Sequence, residues 1–426
     1  RTAPEQESAN ARASTLDALR TAIRDMESRE ERRTRRAATL NETPEPLPGR
    51  CEETPHGPLH IVETALEPHH AHGRVPVARL LEARPETLAK LALDDRIATV
   101  DPRRVLFLDL ETTGLHGGTG TLPFLIGVAW FEDESLRLEQ LVLPRPGGEG
   151  PMLRFLRDRI ARASGVVTFN GKSFDWPLVR TRYVMNRLVP PELPPHLDVL
   201  HCARRVWKRR IGETRLVTLE REVLGHYRED DVPSASIPTV YLEYLRTGRL
   251  GRLAGVIEHN GHDLVAMAAI LARLAELFDA GAEEHDEPLD LLALAEVAVR
   301  AKDPERALAL SRASAEADAQ GATGAAALLL HARVLRRAGD IEGEGNALDR
   351  ALALAEAGSS LASTIHTELA KHHEHRTKNL HRALTHARAA VAQTGAPDDD
   401  SVRRVERLVE RVERTGIGSR PSAPRA

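Results

Sequence analysis

Cysteines, aromatic side chains and long hydrophobic runs are all scarce in this sequence of 426 residues. The two cysteines, Cys51 and Cys202, are far apart and have no metal-ligand residues beside them, which favours a reducing compartment over a disulfide-rich secreted protein. No apolar run approaches the roughly 20 residues that span a bilayer, and residues 1–5 lack the apolar core of a signal peptide. Because the chain begins with Arg1 and not with Met, it does not establish the natural N-terminus. We therefore expect a cytoplasmic location and no membrane partner.

An excess of basic residues is also absent, since 59 Lys and Arg stand against 63 Asp and Glu and give a net charge of −4. This balance excludes a surface coated with positive charge, so contact with nucleic acid would need a local patch. The best candidate is the segment Arg204–Arg210, which has Trp207 among its basic residues. It predicts either such a patch or a solvated basic helix with Trp207 packed inward, and the sequence leaves both open.

The most informative feature that is present is an apolar strand that ends in two acids. Residues 105–114 predict a buried strand in which Asp109 and Glu111, two residues apart, point to the same face. Two such carboxylates repel each other and lose hydration on burial unless a cation lies between them. Because Mg²⁺ prefers carboxylate oxygens, the pattern predicts a metal site. The alternative is a strand end whose acids face solvent at a sheet edge.

Two further acidic clusters follow along the chain. Residues 165–170 predict a short strand and lead to Asp175, two residues before Pro177, and proline is typical of the first turn of a helix. Asp175 is then either an ordinary N-cap or a third acid beside the strand ends. If a helix begins before the third cluster, His259 and Asp263 lie one turn apart on one face. His259 would there be placed to deprotonate a water activated by the metals, although a solvated helix face explains it equally.

Together these residues resemble a known family. The ordered set Asp109-x-Glu111, Phe169-Asn170-x-x-x-Phe174-Asp175 and His259-x-x-x-Asp263 is similar to the DnaQ-like (DEDD) 3′→5′ exonucleases of the ribonuclease H-like fold. The resemblance is stronger to the bacterial YprB-like branch of ribonuclease H-like domain proteins, and it covers roughly residues 47 to 280. It extends to segments 117–121, 124–128, 197–207, 231–233 and 237–241.

The resemblance implies an α/β fold with a ribonuclease H-like mixed sheet flanked by helices. It also implies a site for two divalent ions, Mg²⁺ or Mn²⁺, about 3.5–4 Å apart around the scissile phosphate. One ion would activate the attacking water and the other would stabilise the leaving 3′ oxygen. The four metal-binding acids would be Asp109, Glu111, Asp175 and Asp263, with Asp109 bridging both ions and His259 as the general base.

Four further residues are expected to contact the nucleic acid. Asn170 and Lys172, in the loop before Asp175, would hold phosphate or sugar next to the metals. Thr112 and Leu115 resemble the places where the family grips the terminal nucleotide. These contacts carry little sequence information, so we expect a sequence-tolerant enzyme acting on a single strand or a 3′ end of DNA or RNA.

The general base departs from both common patterns of that family. The histidine subclass places four residues between His and Asp, and the tyrosine subclass uses Tyr with three residues between. Here three residues separate His259 from Asp263, and a strict histidine-type spacing would fall on Glu258. We assign the role to His259 because it keeps the i, i+4 geometry, with His262 as the second candidate.

With 41% hydrophobic and 29% charged residues, the chain can bury at least two cores. The region before the acidic clusters has a strand signal at 59–64 and a helix-like stretch at 77–92. The five predicted segments are 1–46, disordered or partly helical; 47–100, an accessory segment packed on the nuclease; 101–282, the ribonuclease H-like exonuclease domain; 287–415, all-α helical repeats; and 416–426, a disordered tail.

The C-terminal segment contains a repeat. Turns at Lys302-Asp303-Pro304, Gly339-Asp340 and Lys378-Asn379 lie 37 and 39 residues apart, and each precedes an Ala-rich helix. The spacing is similar to the 34-residue tetratricopeptide period, although residues 286–426 contain no Phe, Tyr or Trp. Stacked repeats would form a concave surface for a protein partner, and a plain helical bundle is the alternative.

Two functions from different classes follow. The first is a metal-dependent 3′→5′ exonuclease with an appended helical-repeat scaffold. The second is a catalytically weak or inactive adaptor that binds nucleic acid while its repeats recruit proteins. The presence of all four acids favours the enzyme, because a degenerate site has no physical reason to keep repelling carboxylates together.

Overall fold

The computed structural model describes residues 46–114, 120–280, 287–393 and 399–417. All but the last residue of the predicted segment 1–46 lies outside these ranges, as do Leu115 and most of the predicted tail 416–426. The described residues form two compact units. The first contains the residues up to Ala203 together with Glu213–Glu276, and the second contains Arg204–Gly212 together with the residues from Leu277 onward.

The first unit is built on a mixed sheet of seven strands, and two further short strands pair outside it. The bounds are β1 Arg50–Thr54, β2 Gly57–Leu66, β3 Ala71–His72, β4 Val75–Pro76, β5 Val105–Thr112, β6 Pro123–Glu132, β7 Ser135–Val142, β8 Gly165–Thr168 and β9 His196–Asp198. The strand order in the sheet is β1-β2-β7-β6-β5-β8-β9. Strands β5 to β7 pair antiparallel, whereas β8 pairs in parallel with β5 and β9 in parallel with β8. The short strands β3 and β4 form a separate hairpin.

Strand β5 lies in the interior of this sheet because its sequence is apolar on both faces. Its first four residues, 105–108, are buried, and polar side chains begin only at Asp109. Its β6 and β8 neighbours are buried on both faces as well, as expected for strands covered by helices on either side. The polar end of β5 therefore lies at the edge of the buried apolar core.

The predicted accessory segment contributes to the same sheet. Strand β2 pairs antiparallel with β7 from His60 to Leu66, and β1 pairs with β2. The helix-like stretch predicted at 77–92 is present as two pieces, a 3₁₀ turn at Val77–Glu82 and an α-helix at Pro85–Ala92. Pro85 explains the break, because a proline favours an extended residue before it and the first helical position for itself.

Helices cover the sheet of the first unit. The longest, Leu253–Asp279, carries the third acidic cluster and begins before it, as the i, i+4 argument required. Apolar residues from strands and helices, including Phe107, Phe124 and Tyr241, are fully buried. The helices after the accessory segment are Glu149–Arg162, Asp175–Met185, Val199–Ile211, Leu216–Leu219, Ile237–Thr247 and Leu253–Asp279, with a π-helical turn at Glu220–Leu224.

The second unit is helical throughout its described residues. Its helices bury mainly Ala and Leu side chains, and one core cluster joins residues from Leu292 to Leu369. In the described parts of the whole chain, no helix combines the length and apolarity needed to cross a membrane. The bounds are Pro288–Arg300, Pro304–Ala317, Ala322–Ala338, Ile341–Leu354, Ser360–His375, Leu380–Ala392 and Asp399–Ile417.

The three repeated turns share one local geometry. A residue with positive φ, namely Lys302, Gly339 or Lys378, follows the first helix of each pair within three residues of its end. The side chain of the next residue, Asp303, Asp340 or Asn379, then accepts a hydrogen bond from the backbone of the second helix. Left-handed residues commonly end helices, and Asp and Asn are preferred N-caps. The helical pairs therefore fit tetratricopeptide-like repeats.

The basic segment Arg204–Arg210 lies in the second unit. Trp207 is completely buried, Arg209 pairs with Glu296, and Arg210 forms a double hydrogen bond with Asp290. Of the two alternatives left open by the sequence, this geometry favours the helix with an inward tryptophan. We accordingly do not place a nucleic-acid contact there.

Candidate active site

The polar end of β5 presents Asp109 and Glu111 toward the long helix Leu253–Asp279. Asp109 accepts a hydrogen bond of 2.8 Å from the side-chain amide of Asn260. Glu111 lies beside His259, with 4.0 Å between its Oε1 and the Nε2 of the histidine. The strand and one helix thus bring the first and third acidic clusters together.

Asn260 reaches Asp109 because a glycine stands opposite it in the sheet. Gly127 of β6 pairs with Asp109, and a Cβ atom added there would lie 2.1 Å from the Asn260 Oδ1. Gln140 of β7 donates to that same Oδ1 at 2.9 Å and to the backbone carbonyl of Ile257 at 2.6 Å. The amide of Asn260 is therefore fixed with its NH₂ group toward Asp109.

The second acidic cluster is held by a buried carboxylate at the end of β9. Asp198 accepts hydrogen bonds from the backbone N–H groups of Asn170, at 2.7 Å, and Lys172, at 3.2 Å. Asn170 has φ = +68°, a conformation that asparagine tolerates better than most residues. The loop is thereby shaped so that Asp175, the first residue of its helix, lies close enough to Asp109 and Glu111 for its charge to raise the pKa of both acids.

His259 and Asp263 lie on one face of the long helix. The Nε2 atom of His259 is 3.8 Å from an oxygen of Asp263, and together with Glu111 these residues offer three ligand atoms within 4.8 Å of one another. The imidazole is nearly buried, with 6% of its side chain exposed. A histidine in this position faces the acids and not the solvent.

A carboxylate that the sequence did not single out orients His259. The Nδ1 atom of His259 lies 2.6 Å from an oxygen of Asp231. With Nδ1 donating to this carboxylate, Nε2 remains as the proton acceptor on the side of Glu111 and Asp263. Asp231 stood in the sequence only as part of a short family-like segment.

Arg228 is a second residue of the site that the sequence did not single out. Its buried guanidinium donates to Asp263 Oδ1 at 2.5 Å and pairs with Glu220 and Asp231. It is therefore a positive charge at the edge of the acidic cluster, where it neutralises part of Asp263.

The four acids are crowded enough to disturb one another's ionisation. Burial and the charges of Asp263, Glu111 and Asp175 raise the pKa of Asp109 well above its ordinary value. Burial and neighbouring acids likewise raise the pKa of Glu111, and burial with Asp198 and Asp263 raises the pKa of Asp175 to about 7. For Asp263, burial raises the pKa although Arg228 and His259 oppose it. Carboxylates in this state gain stability from a nearby cation.

Comparison with known proteins finds two similarities for the part of the chain that contains this site. Residues 106–275 match the model of the RNase H superfamily. They form a ribonuclease H-like domain. The chain is also similar to the protein YprB of Bacillus subtilis (strain 168), with 33% identity over 206 residues that make up 48% of this chain and 50% of YprB. The chain thus spans about half the length of the curated relative that it matches.

The ribonuclease H-like fold and the YprB-like resemblance expected from the sequence are therefore confirmed. The five strands β7-β6-β5-β8-β9 form the mixed centre of the domain, and the acids lie on the central strand and on elements beside it. The superfamily generally uses divalent metal ions, and the crowded oxygens of this domain offer suitable hard ligands.

The domain has a cleft of about 180 Å³ beside the acids. Glu111, Thr112 and Asp175 line it, and so does Phe174, whose ring is 55% exposed. The hydroxyl of Thr112 donates to the Gly114 carbonyl at 2.7 Å. An exposed aromatic ring next to carboxylates is an apolar platform at a charged site.

The structure brings together most of the residues that the sequence singled out. Asn170 and Lys172 lie in the loop that precedes Asp175, and the Lys172 side chain is exposed. Leu115 lies outside the described residues. His262, the second candidate for the base, packs against another histidine, with its ring centre 6.1 Å from that of His226.

Proposed function

We propose that this protein is a divalent-metal-dependent nuclease, and specifically a 3′→5′ exonuclease that uses two ions. One observation carries the proposal: four acids and one oriented histidine converge at the end of the central strand. Buried acids of raised pKa, crowded against one another, fit Mg²⁺ or Mn²⁺. The proposed metal ligands are Asp109, Glu111, Asp175 and Asp263.

Divalent ions at these acids would supply a Lewis acid and a water that is nucleophilic at neutral pH. His259 would accept the proton of that water through Nε2. Asp231 would hold the imidazole in the tautomer that leaves Nε2 free, and it would stabilise the positive charge that forms. Asn260 would keep the Asp109 carboxylate oriented through its 2.8 Å hydrogen bond. General bases of this kind contribute about 10²–10⁴-fold to rate.

The cleft suggests how the end of a strand would be bound. Phe174 would stack on a terminal base, Thr112 and Leu115 would contact its nucleotide, and Asn170 and Lys172 would hold phosphate or sugar. Stacking on an aromatic ring is worth roughly 1–3 kcal/mol per base and is tolerant of sequence. The proposed substrate is therefore a single strand or frayed 3′ end without a defined sequence.

For the whole chain we propose the organisation expected from the sequence. Segment 47–100 extends the nuclease, 101–282 carries catalysis, and 287–415 forms tetratricopeptide-like repeats that bind a protein partner. The last assignment rests on the recurrence of one turn geometry in three helical pairs.

The decisive experiment is cleavage of single-stranded DNA and RNA of equal sequence, labelled at the 5′ end, with Mg²⁺ or Mn²⁺. Products that shorten in steps from the 3′ end, and that disappear with Asp109→Asn, are expected. Products of defined internal length would replace the exonuclease by an endonuclease. Equal cleavage by the variant would reveal a contaminating enzyme and contradict the proposal.

One observation favours the second candidate, a nucleic-acid-binding adaptor of weak or no activity. Arg228 contacts Asp263 at 2.5 Å and competes with a cation for that acid. If the protein cleaves neither DNA nor RNA, but binds each of them as tightly without Mn²⁺ as with it, the adaptor is the better description. An Arg228→Gln variant that gains metal binding would identify the arginine as the cause.

A further inference from the structure

A second group of metal-ligand side chains lies in the first unit, away from the four acids. It consists of His72 at the end of β3, Glu220 at the start of the π-helical turn, and His226 just after that turn. Their ligand atoms all lie within 4.8 Å of one another. In sequence His72 is 148 residues from Glu220 and still farther from His226, so only the fold brings them together.

The backbone holds these three residues close. In the hairpin of β3 and β4, the N–H of Arg74 donates to the carbonyl of Leu224 at 2.8 Å. A Cβ atom added at Gly73, whose φ is +62°, would lie 2.1 Å from that carbonyl oxygen, so glycine is needed for the approach. The N–H of His226 donates to the carbonyl of Glu220 at 3.0 Å. The group is therefore set by main-chain contacts and not by flexible side chains alone.

Burial makes the group unusual for polar residues. The side chains of Glu220 and His72 are 0% and 4% exposed, and His72 Nε2 lies 2.7 Å from Glu220 Oε1. The rings of His72 and His226 are only 3.9 Å apart between centres. The Nε2 atom of His226 is shielded from solvent and has no hydrogen-bond partner among the described residues. A shielded imidazole nitrogen without a partner loses its hydration, which a bound cation would replace.

We propose that His72, Glu220 and His226 form a second metal site, suited to Zn²⁺ and chemically distinct from the oxygen-rich site of the four acids. Two imidazoles and one carboxylate are a ligand set that zinc takes, with a fourth position left for water. Mg²⁺ prefers oxygen ligands and would not be selected by two nitrogens. The alternative is that no ion binds and that His72 and Glu220 only form a hydrogen bond with each other.

The position of Glu220 gives this site a structural consequence. Its other oxygen, Oε2, lies 2.7 Å from Arg228, and Arg228 in turn contacts Asp263. A cation at this site would fix the hairpin to the turn and restrain Glu220, and through it the arginine beside the proposed catalytic acids. The inference does not depend on nuclease activity, because zinc binding is measured directly.

The test is zinc retention by the full chain. Protein stripped with a chelator is given Zn²⁺ in excess Mg²⁺, which occupies oxygen-rich sites, then passed through a desalting column and analysed for metal. We expect one zinc per chain in the wild type and background zinc in His226→Phe, which keeps a ring against His72 but removes the ligand nitrogen. His69→Ala, which removes an exposed histidine near the hairpin, is the matched control and retains its zinc.

Two further measurements separate binding from misfolding and from the other site. Zn²⁺ should raise the melting temperature of the wild type but not that of His226→Phe, while the two melt alike without metal. Glu111→Gln should keep its zinc. A wild type that retains no zinc would leave only the hydrogen bond between His72 and Glu220. Zinc kept by His226→Phe but lost by Glu111→Gln would place the ion among the acids and overturn the proposal.

Discussion

Two buried carboxylates, Glu374 of the helical unit and Asp109 of the ribonuclease H-like domain, lie in opposite surroundings. In the helical unit, Glu374 is 1% exposed and pairs with Arg404, Arg407 and Arg411 at 2.5 to 3.0 Å. Although burial raises its pKa, these partners outweigh burial and leave the pKa below its ordinary value. In the ribonuclease H-like domain, Asp109 is bonded by the neutral amide of Asn260 and its pKa is raised.

This difference shows which buried carboxylates have their charge neutralised by other side chains of the same chain. The charge of Glu374 is neutralised by side chains that the same unit supplies, so the pairing serves stability. The charge of Asp109 meets other acids, an arrangement that costs stability in the isolated chain. A cluster that is unfavourable alone and favourable with cations is expected at a functional site.

The largest expected effect is on turnover, and it should distinguish His259 from His372, two buried histidines that each lie beside an acid. His259→Ala should lower the turnover rate for single-stranded DNA by about 10²–10⁴-fold, because the proton acceptor is lost. His372→Ala removes a histidine 3.2 Å from Glu344 in the helical unit and should leave turnover unchanged. Turnover with saturating metal is the measurement for both variants.

The partner of His259 provides a finer test. Asp231→Asn should lower turnover by about 10-fold or more, since the imidazole loses the carboxylate that holds its tautomer and stabilises its positive charge. His262→Ala should have little effect. Loss of activity with His262→Ala and none with His259→Ala would show that the i, i+4 assignment of the base is wrong.

The next largest effect is stabilisation by metal. Mn²⁺ at about 100 times its dissociation constant should stabilise the wild type by roughly 2.7 kcal/mol, seen as a higher melting temperature. Asp109→Asn should lose this response because the negative charge of a proposed metal ligand is replaced by a neutral amide. Glu374→Gln should keep it. A wild type whose melting is indifferent to divalent ions would contradict the proposed metal site.

Much of this arrangement could be predicted from the sequence, because it depends on local patterns. Period two placed Asp109 and Glu111 on one face, and helical spacing placed His259 over Asp263, as the structure shows. The repeated turns also follow from local sequence, because Asp303, Asp340 and Asn379, which cap the helices after the turns, are of preferred N-cap types.

The supporting contacts could not be predicted because they join residues far apart in the chain. Asn260 and Asp109 are separated by 151 positions, and their contact depends on the small size of Gly127 in a third element. Asp231 reaches His259 from a loop that has no periodic pattern.

Replacing each of the two carboxylates by its amide should have different effects on the stability of the protein. Glu374→Gln should destabilise the protein by roughly 1–3 kcal/mol, because it leaves three arginines, all partly exposed, without their shared acid. Asp109→Asn should leave stability unchanged or raise it when a chelator is present, since it relieves repulsion. Urea unfolding in chelator compares the two, and equal losses would mean that Asp109 is as well satisfied as Glu374.

A further expected effect is a pH dependence of the stability of the metal-free protein. Asp175 has a pKa of about 7 in the folded state, against an ordinary value of 3.8, so between these values the folded chain holds a proton that the unfolded chain has released. Stability should therefore be greatest at low pH within this window and fall as pH rises toward 7, by at most about 1.4 kcal/mol per pH unit for one proton. Asp175→Asn should reduce the slope, and Mg²⁺ should reduce it too, because the ion favours the ionised acids. Melting temperatures at pH 5, 6 and 7 in chelator measure it, and a melting temperature that rises over this range would mean that the acids are already ionised and compensated within the chain.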